Sequence, residues 1–103
     1  MKAILIDPWK RSIEYVETTG KLYDLYQLIG CRYVEAAYVF GKSEVGFVGD
    51  ESALQEPPLP HFFVPGYKWP LHGRMLVLGY TASGANRSTG LTIEQLSVLV
   101  IFP

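Results

Sequence analysis

Apolar positions near the start of the chain form two short segments with different patterns. Residues 3–6 are apolar at every position, which is typical of a strand covered on both faces. In residues 12–17 the apolar Ile13 and Tyr15 alternate with polar neighbours, the period-two pattern of a half-buried strand. We therefore predict an N-terminal β-hairpin.

The next segment has helical periodicity. Within residues 21–29, Leu22, Leu25 and Leu28 recur every third position, which places apolar side chains on one face of a helix. Gly30 follows and can adopt the left-handed conformation that ends helices. We predict one amphipathic helix packed on the sheet.

A second hairpin is predicted after this helix. Residues 33–40 are rich in aromatic and branched side chains, residues 41–43 form a turn, and residues 44–48 return to alternation. Gly46 and Gly49 indicate a bulge or the close approach of another backbone.

The middle of the chain, residues 50–74, has no regular pattern. Its five prolines exclude a long helix or a central strand, and its many apolar side chains predict an ordered loop. Long ordered loops are often functional.

The C-terminal part resumes the regular pattern. Residues 75–80 predict an apolar strand, and residues 81–90 a polar turn. Thr92 with Gln95 predicts a capping box for a short helical turn over residues 93–97, and residues 98–102 predict a last strand. The whole chain, residues 1–103, is expected to form a single α+β domain with about six strands in mainly antiparallel hairpins and a long proline- and aromatic-rich loop.

Charge and cysteine content exclude several classes of protein. A net charge of −1 and a pI near 6.1 provide no positive field for a nucleic-acid polymer. The single cysteine, Cys31, excludes an intrachain disulfide. No apolar run is long enough for a signal peptide or a membrane span, so we expect a cytoplasmic protein.

Motifs for catalysis and metal binding are missing. His61 and His72 are the only histidines, and neither HExxH nor a cysteine pair accompanies them. Ser83 is not in a G-x-S-x-G elbow. We therefore predict a non-enzymatic protein without metal or cofactor. Hydrolysis would require one of the histidines to lie in a cleft beside a second titratable group.

The candidate ligand site comes from the distribution of charge. Residues 57–93 contain no acidic side chain but include three cations, which favours an anionic partner. Aromatic rings could stack on a purine, and arginines could bind phosphate. The predicted ligand-binding residues are His61, Tyr67, Lys68, Trp69, His72, Arg74, Tyr80, Asn86 and Arg87. The alternative is that Phe62, Phe63, Tyr67 and Trp69 pack as a small core under the loop.

Several segments together resemble a known family. They are the opening MKAILIDPWKRSIEYVE, LYQLIGC at the end of the helix, the acidic pair Asp50 and Glu51, PLHGRMLVLGY and the closing LTIEQL. The chain resembles a family of small uncharacterised domains from bacteriophages, plasmids and other bacterial mobile elements. Members typically carry an acidic turn after the strand that corresponds to MLVLGY, whereas residues 81–87 here contain no acid.

This resemblance implies a mobile-element protein in the cytoplasm of a bacterial host, where small domains often counter host defence. One hypothesis is a sponge that sequesters a nucleotide immune signal, of the cyclic dinucleotide or cyclic ADP-ribose type, in a preformed pocket. The alternative is a protein-binding module that inhibits a host protein through Tyr67, Trp69 and Arg74. A homodimer is compatible with either hypothesis.

Overall fold

Two strands that are apolar at nearly every position form the centre of the fold. The computed structural model describes residues 1–37, 40–41 and 43–103. Its elements are β1 (Lys2–Asp7), β2 (Ser12–Glu17), α1 (Leu22–Ile29), β3 (Val34–Ala37), β4 (Glu44–Gly49), β5 (His61–Phe62), β6 (Leu71–His72), β7 (Met75–Tyr80), β8 (Asn86–Arg87) and α2 (Ile93–Leu99).

The main sheet has the strand order β2-β1-β7-β4-β3, and every described pair is antiparallel. β8 pairs with the end of β7. β1 and β7 are central because their side chains are apolar on both faces, so both faces need cover. The α+β prediction and both predicted hairpins are confirmed; of the second, Tyr38, Val39 and Lys42 lie outside the described residues.

Helix α1 covers one face of the sheet. Its buried side chains, Leu25 and Ile29, pack with Leu76 and Leu78 of β7. Gly30 ends the helix with φ of 80° and donates its N–H to Tyr26 O, as the sequence predicts. Leu25 and Ile29, four positions apart, thus define the side of the helix that meets the sheet, whereas Leu22 at the start of the helix is exposed.

The opposite face is covered by the long loop and the C-terminal segment. Phe62 and Leu71 of the β5–β6 pair pack there with Ile4, Ile6, Met75 and Val77 of the central strands, and with Leu96 and Val100. Phe62 therefore belongs to the main core and is fully buried. The β5–β6 part of the loop thus packs against the sheet and supplies part of this core.

The sequence pattern indicates a bulge or the close approach of another backbone at Gly46. In the structure, the space beside Gly46 is filled by a side chain. A Cβ at this position would overlap the thioether of Met75 on the adjacent strand. Met75 is fully buried, so the missing Cβ of Gly46 lets a long core side chain lie flat against β4.

The C-terminal segment differs from the prediction. The capping box of Thr92 and Gln95 is present, but α2 continues to Leu99, and the predicted strand over residues 98–102 is wrong apart from one bridge between Phe63 and Ile101. A helical course brings Leu96 and Val100, four positions apart, to the same side, where both are buried. Among the described residues, neither helix is long and apolar enough to cross a membrane.

Candidate functional site

A concave surface lies where the C-terminal end of α1 meets the ends of β1 and β4. We call it the α1-end cleft; it has a volume of about 540 Å³, within the usual range for ligand sites. Side chains alternate along a strand, and Arg74 is two positions from Leu76 and four from Leu78. Arg74 therefore lies on the same face of the sheet as these leucines, the face that α1 covers, and so does the cleft. Its lining includes Trp9, Cys31, Arg32, Tyr33, Asp50, Glu51 and Arg74.

Arg74 is held in this cleft from two sides. Its Nε donates to Oδ2 of Asp7 at 3.1 Å, and its guanidinium carbon lies 4.7 Å from the ring centre of Trp9, a cation–π distance. Asp7 is itself fixed, because its Oδ1 accepts from the backbone N–H groups of Trp9 and Lys10 at 2.9 and 3.3 Å. The buried carboxylate thus positions both the guanidinium and the turn that carries the indole.

The outer edge of the Arg74 guanidinium makes no hydrogen bond with the described residues. The side chain is 35% exposed, and a Cβ at Gly30 would lie only 3.2 Å from Nη1. The missing side chain at Gly30 therefore leaves space beside the terminal nitrogens. This arginine is oriented in advance and can still donate to a ligand.

Flat rings and further charges surround Arg74. Trp9 is 47% exposed and Tyr33 is 65% exposed, so each presents ring surface to solvent. Arg32 makes no ion pair with the described residues. Asp50 and Glu51 line the same cleft. The lining therefore combines cationic donors, anionic acceptors and stacking surfaces.

Cys31 is the thiol of this cleft. Burial, together with the negative charge of Asp50, raises the pKa of Cys31. The side chain packs against Gly49, where a Cβ would lie 3.1 Å from Cys31 Cβ. A raised pKa keeps the thiol protonated near neutral pH, so Cys31 is a poor nucleophile there.

The structure places only Arg74 of the predicted residues in the α1-end cleft. Tyr80 and Asn86 line a smaller hollow of about 360 Å³ with Val45, Phe47 and Gly84. Asn86 also donates from Nδ2 to Gly20 O at 2.8 Å, which ties β8 to the segment before α1.

Arg87 lies outside the α1-end cleft, in a cluster of hydrogen bonds. Its Nη1 donates to Ser88 O at 2.7 Å, and its Nη2 donates to Ser43 O at 3.1 Å and to Glu44 Oε2 at 3.3 Å. Glu44 is buried and also accepts from Thr89 Oγ1 and from the N–H of Gly90. This cluster fastens the β8 segment to β4.

The remaining predicted residues lie in the β5–β6 loop. His61 and His72 face each other across the strand pair. The connection from β5 to β6 contains Tyr67, Lys68 and Trp69. The Trp69 side chain is 62% exposed, and Lys68 Nζ lies 5.2 Å from the centre of its ring. Tyr67 and Trp69 are thus not sealed in a small core under the loop. The nine residues are spread over separate parts of the surface and do not line a single hollow.

Sequence reasoning missed Trp9, Arg32 and Tyr33. They come from two turns far from Arg74 along the chain, one after β1 and one after α1. The available signals were local: a D-P-W turn that ends a buried strand and a G-C-R-Y segment that follows a helix. Neither signal shows that the two turns meet.

Comparison with protein families gives a match over nearly the whole chain. No curated protein and no solved structure matches this chain. The family model of DUF3846, a domain of unknown function, matches residues 1–100. The chain therefore belongs to the DUF3846 family.

Proposed function

We propose that this protein binds a small, planar, anionic molecule in the α1-end cleft. The observation that carries the proposal is the position of Arg74, which is fixed by Asp7 and Trp9 and retains unpaired terminal nitrogens within a cleft. A donor that is oriented before binding loses little conformational entropy when the ligand arrives. A guanidinium edge also matches the geometry of phosphate and carboxylate oxygens.

The mixed charge of the cleft narrows the class of ligand. Arg32 and Arg74 attract an anion, but Asp50 and Glu51 oppose the binding of a bare anion such as inorganic phosphate. A nucleotide can bind both the arginines and the carboxylates, because its phosphates accept hydrogen bonds from guanidinium groups and its base donates N–H groups to carboxylates. The base can also stack on Trp9 or Tyr33.

Sequestration without turnover is the mode of action that we propose. The raised pKa of Cys31 makes the thiol a weaker nucleophile near neutral pH, and the described lining of the cleft includes no histidine. The resemblance to mobile-element domains suggests the biological purpose: an anti-defence sponge for a nucleotide immune signal, of the cyclic dinucleotide or cyclic ADP-ribose type, in the bacterial cytoplasm.

The test incubates the purified protein with a panel of nucleotide signals, then releases bound material by heat and identifies it by chromatography. We expect depletion of one signal from solution and its intact recovery after heating. Altered recovery would indicate an enzyme and would contradict sequestration. Absence of depletion for every member of the panel would contradict nucleotide binding.

Variants of exposed cleft residues locate the site. Arg32→Ala and Tyr33→Ala should each weaken binding without unfolding the protein, because both side chains are exposed. Lys21→Ala is the matched control, since Lys21 is an exposed cation that does not line the cleft. Equal binding by all three variants would exclude this cleft as the site.

A second candidate function is protein binding through the β5–β6 loop. The observation that favours it is the exposure of Trp69, a residue type that often contributes most to interface affinity. Trp69→Ala separates the two functions, because it leaves the α1-end cleft unchanged. Loss of inhibition of a purified host enzyme by this variant, with nucleotide binding retained, would support the second function.

A further inference from the structure

The two histidines of the chain are direct neighbours across the β5–β6 pair, although eleven positions separate them in sequence. His61 pairs with His72, and Phe62 pairs with Leu71. Phe62 and Leu71 are buried in the core, and side chains alternate along a strand. Both imidazoles therefore lie together on the face of this strand pair that is turned away from the core.

Backbone hydrogen bonding brings the two rings close together. Gly73 donates its N–H to Pro60 O at 2.9 Å. Pro60 and Gly73 are therefore the hydrogen-bonded pair next to the histidine pair. Because hydrogen-bonded and non-hydrogen-bonded pairs alternate in an antiparallel ladder, His61 and His72 occupy a non-hydrogen-bonded pair, the type with the closer side chains. Their ring centres are 5.3 Å apart.

The hydrogen bond of His72 leaves one of its nitrogens free to coordinate. His72 Nδ1 lies 3.1 Å from Leu59 O. A carbonyl oxygen only accepts, so in the neutral ring Nδ1 carries the proton and Nε2 keeps its lone pair. Histidines that bind metals are commonly oriented by a backbone carbonyl on the other ring nitrogen in this way. His61 makes a T-shaped contact with Phe63, with ring centres 5.3 Å apart at an angle of 88°.

From this geometry we propose that His61 and His72 form a site for a divalent transition-metal ion of the Zn²⁺ type. With metal–nitrogen bonds of about 2.1 Å, two imidazoles on one tetrahedral ion have ring centres roughly 5 Å apart, close to the observed separation. Two imidazole nitrogens favour Zn²⁺, Ni²⁺ or Cu²⁺ over Mg²⁺ and Ca²⁺, which prefer oxygen ligands.

The site is open. Among the described residues, no third histidine, cysteine or carboxylate joins the pair, so water fills the other positions of the ion. The sequence pattern predicts no metal because it shows two histidines without a recognisable ligand spacing. The distance between the two imidazole rings is set instead by the register of β5 and β6, which sequence periodicity does not reveal.

Histidine NMR tests this proposal directly, because the chain has only two imidazole rings. On titration of the full-length protein with ZnCl2 at neutral pH, we expect both ring spin systems to change together and to saturate at one ion per chain. MgCl2 should leave both unchanged. A response from only one ring, saturation at one ion per two chains, or no response would overturn the proposal.

Variants then separate this site from other ligands in the protein. His61→Gln and His72→Gln should each weaken Zn²⁺ binding about ten-fold or more in calorimetry, because each removes half of the protein ligands. Cys31→Ser is the control and should bind as the parent does, since Cys31 lies in the α1-end cleft. Unchanged binding in both histidine variants, or its loss in Cys31→Ser, would refute the assignment.

Discussion

Arg74 Nε lies 3.1 Å from Oδ2 of Asp7 and joins the residue before β7 to the end of β1. The carboxylate is 5% exposed and the guanidinium side chain 35% exposed. Asp7, the buried partner, therefore organises the turn after β1, and Arg74, the more exposed partner, still faces the α1-end cleft. The contact therefore stabilises the fold and orients the arginine for the ligand that we propose.

Replacing Asp7 should lower stability. Asp7→Ala removes the acceptor for two backbone N–H groups and for Arg74, and we expect the free energy of unfolding in urea to fall by about 2–4 kcal/mol. Glu17→Ala is the control, because its exposed carboxylate makes only a 3.6 Å contact with the N-terminal amine, and its effect should stay below about 1 kcal/mol. Equal stability of the two variants would show that the Asp7 contacts contribute little.

Replacing Arg74 by lysine should affect binding more than folding. Lysine keeps a positive charge near Asp7 but loses the planar edge that can pair with two oxygens and stack on Trp9. For the nucleotide identified by the depletion test, we expect the dissociation constant measured by calorimetry to rise by about ten-fold. Arg87→Lys should leave this constant unchanged, because Arg87 bonds to Glu44 and to backbone carbonyls away from the cleft. An equal effect of the two substitutions would argue against a specific role for Arg74.

The Cys31 thiol should react slowly. Burial and the charge of Asp50 raise its pKa, so at pH 8 we expect slower alkylation by iodoacetamide than for a free cysteine, measured by mass spectrometry. Asp50→Asn should speed the reaction by removing the neighbouring charge. Glu51→Gln should not, because Glu51 is not among the groups that shift this pKa. Identical rates in the two variants would remove Asp50 as a cause.

The same shift determines the sign of a pH effect on stability. The folded chain keeps the thiol proton to higher pH than the unfolded chain does. The contribution of Cys31 is therefore complete below the pKa of the unfolded thiol and declines as the pH rises through it towards the folded pKa. Cys31→Ser should flatten the alkaline decline of the unfolding free energy.

The loop aromatics should differ in their effects on stability. Trp69→Ala should change the unfolding free energy by no more than about 0.5 kcal/mol, because the ring is largely exposed. Phe62→Ala should lower it by about 3–5 kcal/mol, because Phe62 is fully buried between the loop and the sheet. Chemical denaturation measures both. A large loss for Trp69→Ala would assign its ring to the core.

Local patterns in the sequence were enough to predict most of the elements. The leucine spacing predicted α1, the apolar runs predicted β1 and β7, and the Thr92–Gln95 pair predicted the start of α2. These features depend on neighbours within a few positions, and such short-range preferences are encoded directly in the sequence. The last strand was predicted wrongly because a short apolar run suits a strand or a buried helix equally well, and packing of Leu96 and Val100 on the core decided for the helix.

The grouping of residues from distant segments was decided only by the tertiary structure. Arg74 was predictable as a ligand-binding candidate from its charge, but its neighbours Asp7, Trp9, Arg32 and Tyr33 come from other turns. The sheet order that places β7 between β1 and β4 brings those turns together. The sequence by itself determined the composition and local conformation of each segment. Strand order and register, which depend on long-range burial of both sheet faces, determined which side chains share a cleft and which two histidines face each other.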